Sequence, residues 1–540
     1  MKKRIIRIIS VITALAVMLP AVSLLLKTEA GAYPGRVPVI CIYGEDTPLG
    51  IRQADGSFEP VTATIDTAKA AAMFTDNAGV IAKAVVTQDW TEVCDLITDF
   101  LIDTYKDLVL DENGVAANGS ESVFTYSKPD LQRYFTAPNS DLWSYGFRYD
   151  WRLDPYDNME KLRTFIEDVL DATGCDQYAL YGRCLGACLE ATYYDIYKDD
   201  RITDIIVSHS GLLGMTPIGE AFSGNLVLDG DAAERFAYEY DMGLNLKVTD
   251  GITLTDDSIR QMLKILSDTY NLDMFCWFST NVYQHIYDYI NPRLLKHCFG
   301  SFPGYWAMCE DKYYEDAKKV VFAGEEEKYA NFINKIDHYH NTIMLRAEDI
   351  LKEAQSNGIK VSCLVKYGQQ LLPLIEDANA LSDQLLKVSV ASFGAYTVGN
   401  DTYFTDDYIQ SETEKGNGAY LSPDRKINAS SCLFRDTTWF IKNVGHKENP
   451  VAVNKLIFAI VNDENATVDT LEGFPQFLYY DKENEDIVPL DPSVHISKSD
   501  EFNANIADSF IRKIKKIFRP VFIFATWVVK YLFVKPRAGK

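Results

Sequence analysis

The chain has 540 residues, of which 47% are hydrophobic and 24% charged, enough apolar material for a sizeable core. Low-complexity disorder and collagen-like architecture are excluded, and the length implies one large domain with insertions or two to four units. The net charge of -24 is unevenly spread. Residues 1–32 carry five basic side chains and one acidic, and residues 511–540 carry nine basic and no acidic ones, so residues 33–510 hold -37. An acidic body repels phosphates, which excludes nucleic acid as a partner.

Taken in chain order, Lys2, Lys3, Arg4 and Arg7 precede an apolar run from Ile8 to Leu26, followed by Ala30-Gly31-Ala32. This is the tripartite pattern of a secretory signal over residues 1–32, cleaved or retained as an anchor, and it places the body outside the cytoplasm. Ten cysteines in an exported chain permit disulfides, although a protein of this size does not need them as a framework. No CxxC pair occurs. His338 and His340 lie in a charged helical stretch that reads as a solvated face, so no metal is indicated.

Val37 to Tyr43 (VPVICIY) reads as a strand ending in the loop Gly44-Glu45-Asp46. Asp89 to Lys106 has helical periodicity, Phe147 to Trp151 is a short strand candidate, and Asn158 to Ala172 is an amphipathic helix. Then come a strand from Tyr178 to Tyr181, a helix from Leu185 to Lys198 and a strand from Ile202 to Ser208. This alternation predicts an α/β fold with a parallel sheet. From Gly211 to Asn357 the pattern turns helical, aromatic and charged without strand alternation, and Ile359 to Val365 (IKVSCLV) restores a buried strand. A helical block interrupting a sheet is how a cap is inserted. The expected organisation is therefore a core in two parts, 33–210 and 358–447, around a cap at 211–357, with a helix and polar loops over 448–510.

The sharpest local signal is Gly182-Arg183-Cys184-Leu185-Gly186-Ala187, between a predicted strand and a predicted helix. A nucleophile on such a turn sits in strained backbone, and the residues two before and two after it must be very small. Gly182 and Gly186 occupy those places around Cys184. The N–H of Leu185, at the helix start, would point at an oxyanion, and the second donor belongs in the loop after the first strand, where Glu45 offers its backbone N–H. Ser208-His209-Ser210-Gly211 is elbow-like too, with Ser210 as the competing nucleophile, but Ser208 and Leu212 fill the places that demand small residues.

On these segments the chain resembles the α/β hydrolases, and more closely the lecithin:cholesterol acyltransferase and lipase group. The resemblance rests on VPVICIYGE, FRYDWRLDP (Phe147 to Pro155), the elbow, LSDQLLKVSVASFGA and NASSCLFRDTTWFIKNVGH, in that order, and covers roughly residues 37–220 and 355–447. It implies an α/β-hydrolase fold, a mostly parallel sheet with an inserted helical cap, and acyl chemistry on lipid esters with no cofactor. The family usually carries serine where this chain has Cys184; the elbow also resembles that of dienelactone hydrolases, which use cysteine. The family pattern places the acid at Asp383, with Glu376 and Asp377 as nearby rivals. The order nucleophile, acid, histidine then selects His446 as base, with His209 as the rival.

After Arg512 the chain runs IFRPVFIFATWVVKYLFV and ends in KPRAGK. An apolar aromatic stretch bracketed by lysines suits the interface between lipid headgroups and acyl chains, so residues 511–540 are expected to associate with a membrane surface; a helix packed on the acidic body is the other reading. The expected function is an exported, membrane-associated hydrolase or acyltransferase acting on lipid or other esters through Cys184, His446 and Asp383. A non-catalytic binding protein on the same scaffold, or an esterase or thioesterase for a non-lipid substrate, are the alternatives.

Overall fold

The computed structural model of the protein describes residues 36–502 except 46, 63–66, 88, 125, 127–130, 132–143, 226, 240–244, 250–251, 269–275, 277–283, 285–286 and 499. The expected export signal and the basic tail lie outside the described residues.

An eight-stranded sheet runs through the molecule, with helices on both faces. Its strands are β1 (Val39–Ile42), β2 (Ser144–Phe147), β3 (Tyr178–Arg183), β4 (Ile202–Ser208), β5 (Lys360–Tyr367), β6 (Thr438–Lys442), β7 (Phe477–Asp481) and β8 (Asp486–Pro489). Their spatial order is 8-7-6-5-4-3-1-2, and every pair is parallel except β7 with β8. The central strands are buried from end to end, as a sheet covered on both faces requires.

Side-chain alternation sorts the core into two layers. Ile40, Ile42, Leu180, Ile205 and Val365 face a cluster built with α1 (Met159–Thr173), α2 (Leu185–Tyr197) and α3 (Ala347–Ser356). Val39, Cys41, Ala179, Ile206 and Leu364 face the opposite layer, built on α4 (Val451–Asn462). In α1, Met159, Leu162, Phe165, Ile166, Val169 and Leu170 repeat at helical spacing and are buried. The helix stops at Gly174, whose φ of 66° lets its N–H bond the Leu170 carbonyl.

The chain reverses direction across the sheet at β1: β2 lies on one side of it and β3 on the other. The loops leaving β1 and β3 meet at the carboxyl ends of these neighbouring strands, the end at which open α/β sheets bind their ligands.

Several boundaries differ from the sequence reading. The strand expected at Phe147 to Trp151 is Ser144–Phe147, because Arg148 to Asp154 turns to make a buried polar staple. Arg152 has no exposed surface; it bonds both oxygens of Asp150, the Leu108 and Ser120 carbonyls and the Ser120 hydroxyl. The residues from 211 on contain a hairpin, Asn245–Thr249 with Ile252–Thr255, whose signal is the Asp-Gly pair at 250–251. Much of the helical stretch packs on a core of its own, including Phe222, Trp306, Tyr314, Phe322 and Phe332, whereas α3 at its end lies against the sheet. Thr438–Lys442 is not the last strand: β7 and β8 extend the sheet from the region expected to hold only a helix and polar loops. Cys94, Cys175, Cys184, Cys188, Cys298, Cys309, Cys363 and Cys432 are free thiols.

Candidate active site

β3 ends in Arg183 and α2 begins at Leu185, leaving Cys184 alone on the turn with φ 52° and ψ -119°. A side chain rarely adopts that conformation without glycine, and what holds it here is close packing on both sides. A Cβ on Gly182 would come 2.7 Å from the Ala187 Cα, and one on Gly186 would come 2.2 Å from the Ile42 carbonyl oxygen. Both glycines of the sequence motif are thus sterically required. The Cys184 N–H bonds the Ser208 carbonyl at 3.1 Å, pinning the turn to β4.

The loop after β1 covers the thiol. A Cβ on Gly44 would stand 3.9 Å from the Cys184 Sγ, so the backbone of Gly44 passes beside the sulfur, one residue before Glu45. The N–H of Leu185 is the first of α2 and has no intrahelical acceptor. The Glu45 side chain turns toward Tyr305, whose hydroxyl donates to its Oε2 at 2.6 Å.

His446 and Asp383 meet across 63 residues of sequence. The Asp383 Oδ2 accepts from His446 Nδ1 at 2.9 Å, and the His446 N–H bonds the Asp383 carbonyl at 2.7 Å. The other carboxylate oxygen accepts from the N–H groups of Leu385 and Leu386 at 3.1 and 2.8 Å. With both oxygens occupied and 1% exposure, Asp383 is a fixed acceptor that sets the imidazole's orientation. Burial opposes the charge on His446, but the Asp383 carboxylate and Cys184, each also hydrogen-bonded to the ring, override it and push its pKa up to about 10. The rivals fall elsewhere: Asp377 pairs with Lys387 at 2.9 Å, and the Glu376 N–H is held by Glu220. The Ser210 hydroxyl accepts from the Leu212 N–H at 3.0 Å, inside its own turn. His209 stands against His446, ring centroids 4.9 Å apart.

Three contributors escaped the sequence reading. Lys366, on β5, is 3% exposed and spends its donors on the His446 and Glu448 carbonyls and the Asn449 side chain, at 3.1, 2.6 and 3.1 Å. Burial drags its amine down to about 7 against the pull of Asp383. A lysine inside an apolar strand was its only signal. Trp151, from the YDWRL segment, donates its indole N–H to the Thr47 carbonyl and stacks on Tyr305 at 5.8 Å, so it braces the loop beside Cys184. Tyr305 follows Gly304, which lies so close to the Trp151 carbonyl that a Cβ there would stand 2.1 Å away.

Comparison with known proteins adds little. No family model matches the chain, and no curated protein does. A chain from "The crystal structure of Tle4-Tli4 complex" aligns at 12% identity over 61% of this chain and 74% of its own, with a TM-score of 0.23, too low to carry an argument.

Proposed function

We propose that the protein is an α/β hydrolase resembling the lecithin:cholesterol acyltransferase and lipase group, and that it transfers acyl groups from lipid esters through Cys184. The observation that carries this reading is the alignment of three chain-distant groups at one crevice: a cysteine on a strained turn, a histidine beside it, and a saturated buried carboxylate on that histidine.

The chemistry follows from the pairing. The Cys184 thiolate attacks the ester carbonyl, and the electron pair displaced onto oxygen meets the N–H groups of Leu185 and Glu45. Collapse of the tetrahedral species expels the alkoxide, which takes the His446 proton and leaves as the alcohol. The neutral imidazole then deprotonates water or an acceptor alcohol as it attacks the thioester; the acid or new ester departs and the thiolate–imidazolium pair is restored. Asp383 keeps the imidazole oriented through both half-reactions.

Three further features complete the proposal. Residues 1–32 export the chain, residues 211–357 form a cap over the crevice, and the nine basic residues and apolar run of 511–540 hold it to an anionic membrane surface. The stacked rings of Trp151, Tyr305 and Phe299 give the crevice an apolar aromatic wall suited to an acyl chain.

Incubating the full chain with a chromogenic acyl ester, with mass spectrometry to locate the acyl adduct, tests the reading. The expected result is turnover with a thioester on Cys184 that Cys184→Ala abolishes. Turnover that survives this substitution, or an adduct confined to another cysteine, overturns it.

A further inference from the structure

His209 takes no part in the reaction proposed above, yet the fold holds it at a cost. It follows β4 with φ 35°, a left-handed conformation that a non-glycine residue keeps only when its surroundings impose it. Its N–H bonds the Leu364 carbonyl at 2.9 Å, its Nδ1 lies 2.9 Å from the Ser208 hydroxyl, and the residue is 3% exposed. The ring is thereby fixed perpendicular to that of His446, with an interplanar angle of 89° and centroids 4.9 Å apart.

We propose, resting on the acyl-transfer reading, that His209 is a positioning residue: anchored by Ser208, its ring buttresses His446 edge to face and steadies the imidazolium opposite Cys184. An aromatic ring at this separation and tilt attracts the edge of its neighbour, and attracts a cation more strongly in a water-poor site. A charged His209 would do the reverse.

The surrounding groups keep it neutral. Burial, then the charges of Lys366 on β5, His446 and Arg183 on β3, all push its pKa well below the usual 6.5. His446 in turn faces Asp383, Cys184 and His209.

The test is the pH dependence of Cys184 alkylation by iodoacetamide in the full chain, read by site-resolved peptide mass spectrometry. A thiolate–imidazolium pair gives a two-step profile, and the upper step marks loss of the imidazolium proton. His209→Ala should lower that step by about one pH unit, the size of a desolvated cation–ring contact. His209→Phe, which keeps a ring without the hydrogen bond, should retain most of the wild-type position. Ser208→Ala, which frees the ring but leaves it in place, should fall between them, and it serves if His209→Ala does not fold.

An unchanged upper step in His209→Ala or Ser208→Ala, or a shift in His209→Phe as large as in His209→Ala, overturns the proposal. If His446→Ala also leaves the alkylation profile unchanged, the cysteine–histidine pair itself is wrong and the acyl-transfer reading falls with it.

Discussion

Two buried charge clusters lie within a few residues of the end of β6, and they do different things. In one, Lys442 is held between Asp424 at 3.0 Å and Asp500 at 2.6 Å, while Asp424 also accepts from Tyr367 and Ser422. Burial works against the Lys442 charge, yet the two carboxylates win and raise its pKa. One ammonium bridges two carboxylates, and the result is a clamp that ties the segment before the tail to the sheet. In the other cluster His446 is also buried and also held charged, but its partners are the Asp383 carboxylate on one side and Cys184 on the other.

Perturbed protonation is therefore common to both and identifies neither. What separates them is the partners: Lys442 faces two carboxylates, His446 a carboxylate and a cysteine. Both clusters carry strained backbone. Of the eight non-glycine residues with positive φ among the described residues, Cys184, His209 and Gln384 lie around the second cluster, while Asn443 and Arg425 directly follow Lys442 and Asp424 of the first.

The largest expected effect breaks the reactive cluster alone. Removing the base in His446→Ala should cost roughly 10²–10⁴-fold in ester turnover, measured as kcat/KM, with folding unchanged by circular dichroism. Asp383→Asn should be nearly as severe, because the imidazole loses both its orientation and its charge partner. In that variant the alkaline limb of activity should also drop below the wild-type value near 10. The stability consequence has a definite sign. The folded pKa of His446 lies above its ordinary 6.5, so the pairing stabilises the fold fully below about 6.5 and is lost as pH rises through about 10. The gap in melting temperature between wild type and Asp383→Asn should accordingly close over that window.

The converse substitution sharpens the comparison. Asp500→Asn removes one partner of a buried pair and should cost about 3 kcal/mol of stability in urea melts, while Cys184 alkylation keeps its wild-type pH profile. A change in that profile would mean that the clamp and the reactive loop are one unit.

Lys366→Met lies between the clusters. It strands the buried His446 carbonyl and leaves the Glu448 carbonyl and the Asn449 side-chain oxygen without this donor, a loss of about 1–3 kcal/mol, and should lower kcat through a looser His446.

The smallest effect concerns Glu190, fully buried under the elbow, where burial drives its pKa well above the usual carboxylate range. An acid of this kind destabilises the fold increasingly as pH rises above about 4.5, where the unfolded chain ionises and the folded one does not. Glu190→Gln should therefore gain melting temperature relative to wild type at pH 8 and lose that advantage below pH 4.5.

Much of the parallel sheet was legible because its signals are local. The strand–turn–helix around Cys184 shows itself through Gly182 and Gly186, and the periodicity of α1 reports a single buried face. The antiparallel pair β7 and β8 was not legible: Phe477–Asp481 carries two buried residues followed by three half-exposed ones, a pattern that a polar loop shares. The antiparallel pair Asn245–Thr249 and Ile252–Thr255 was legible in principle from the Asp-Gly pair in the sequence between them and was passed over within a helical stretch. At the site, the glycine motif pointed to Cys184, the family resemblance to Asp383, and order along the chain then to His446. Nothing local distinguished Asp383 from Glu376 and Asp377, all of which are carboxylates in one loop; only the fold sends Asp377 to Lys387 and Asp383 to His446.

The sequence by itself determined the turn, because a strained backbone needs glycines at fixed offsets and leaves no substitute. It also determined the acidic body and the two basic ends, since charge is a sum over residues that no fold alters. Tertiary structure alone decided which lysine holds the loop, and that Glu45 answers Tyr305 some 260 residues away. Those outcomes depend on where strand ends arrive in space, and a hydrogen bond of about 2.9 Å carries no trace in the chain of the residues it will join.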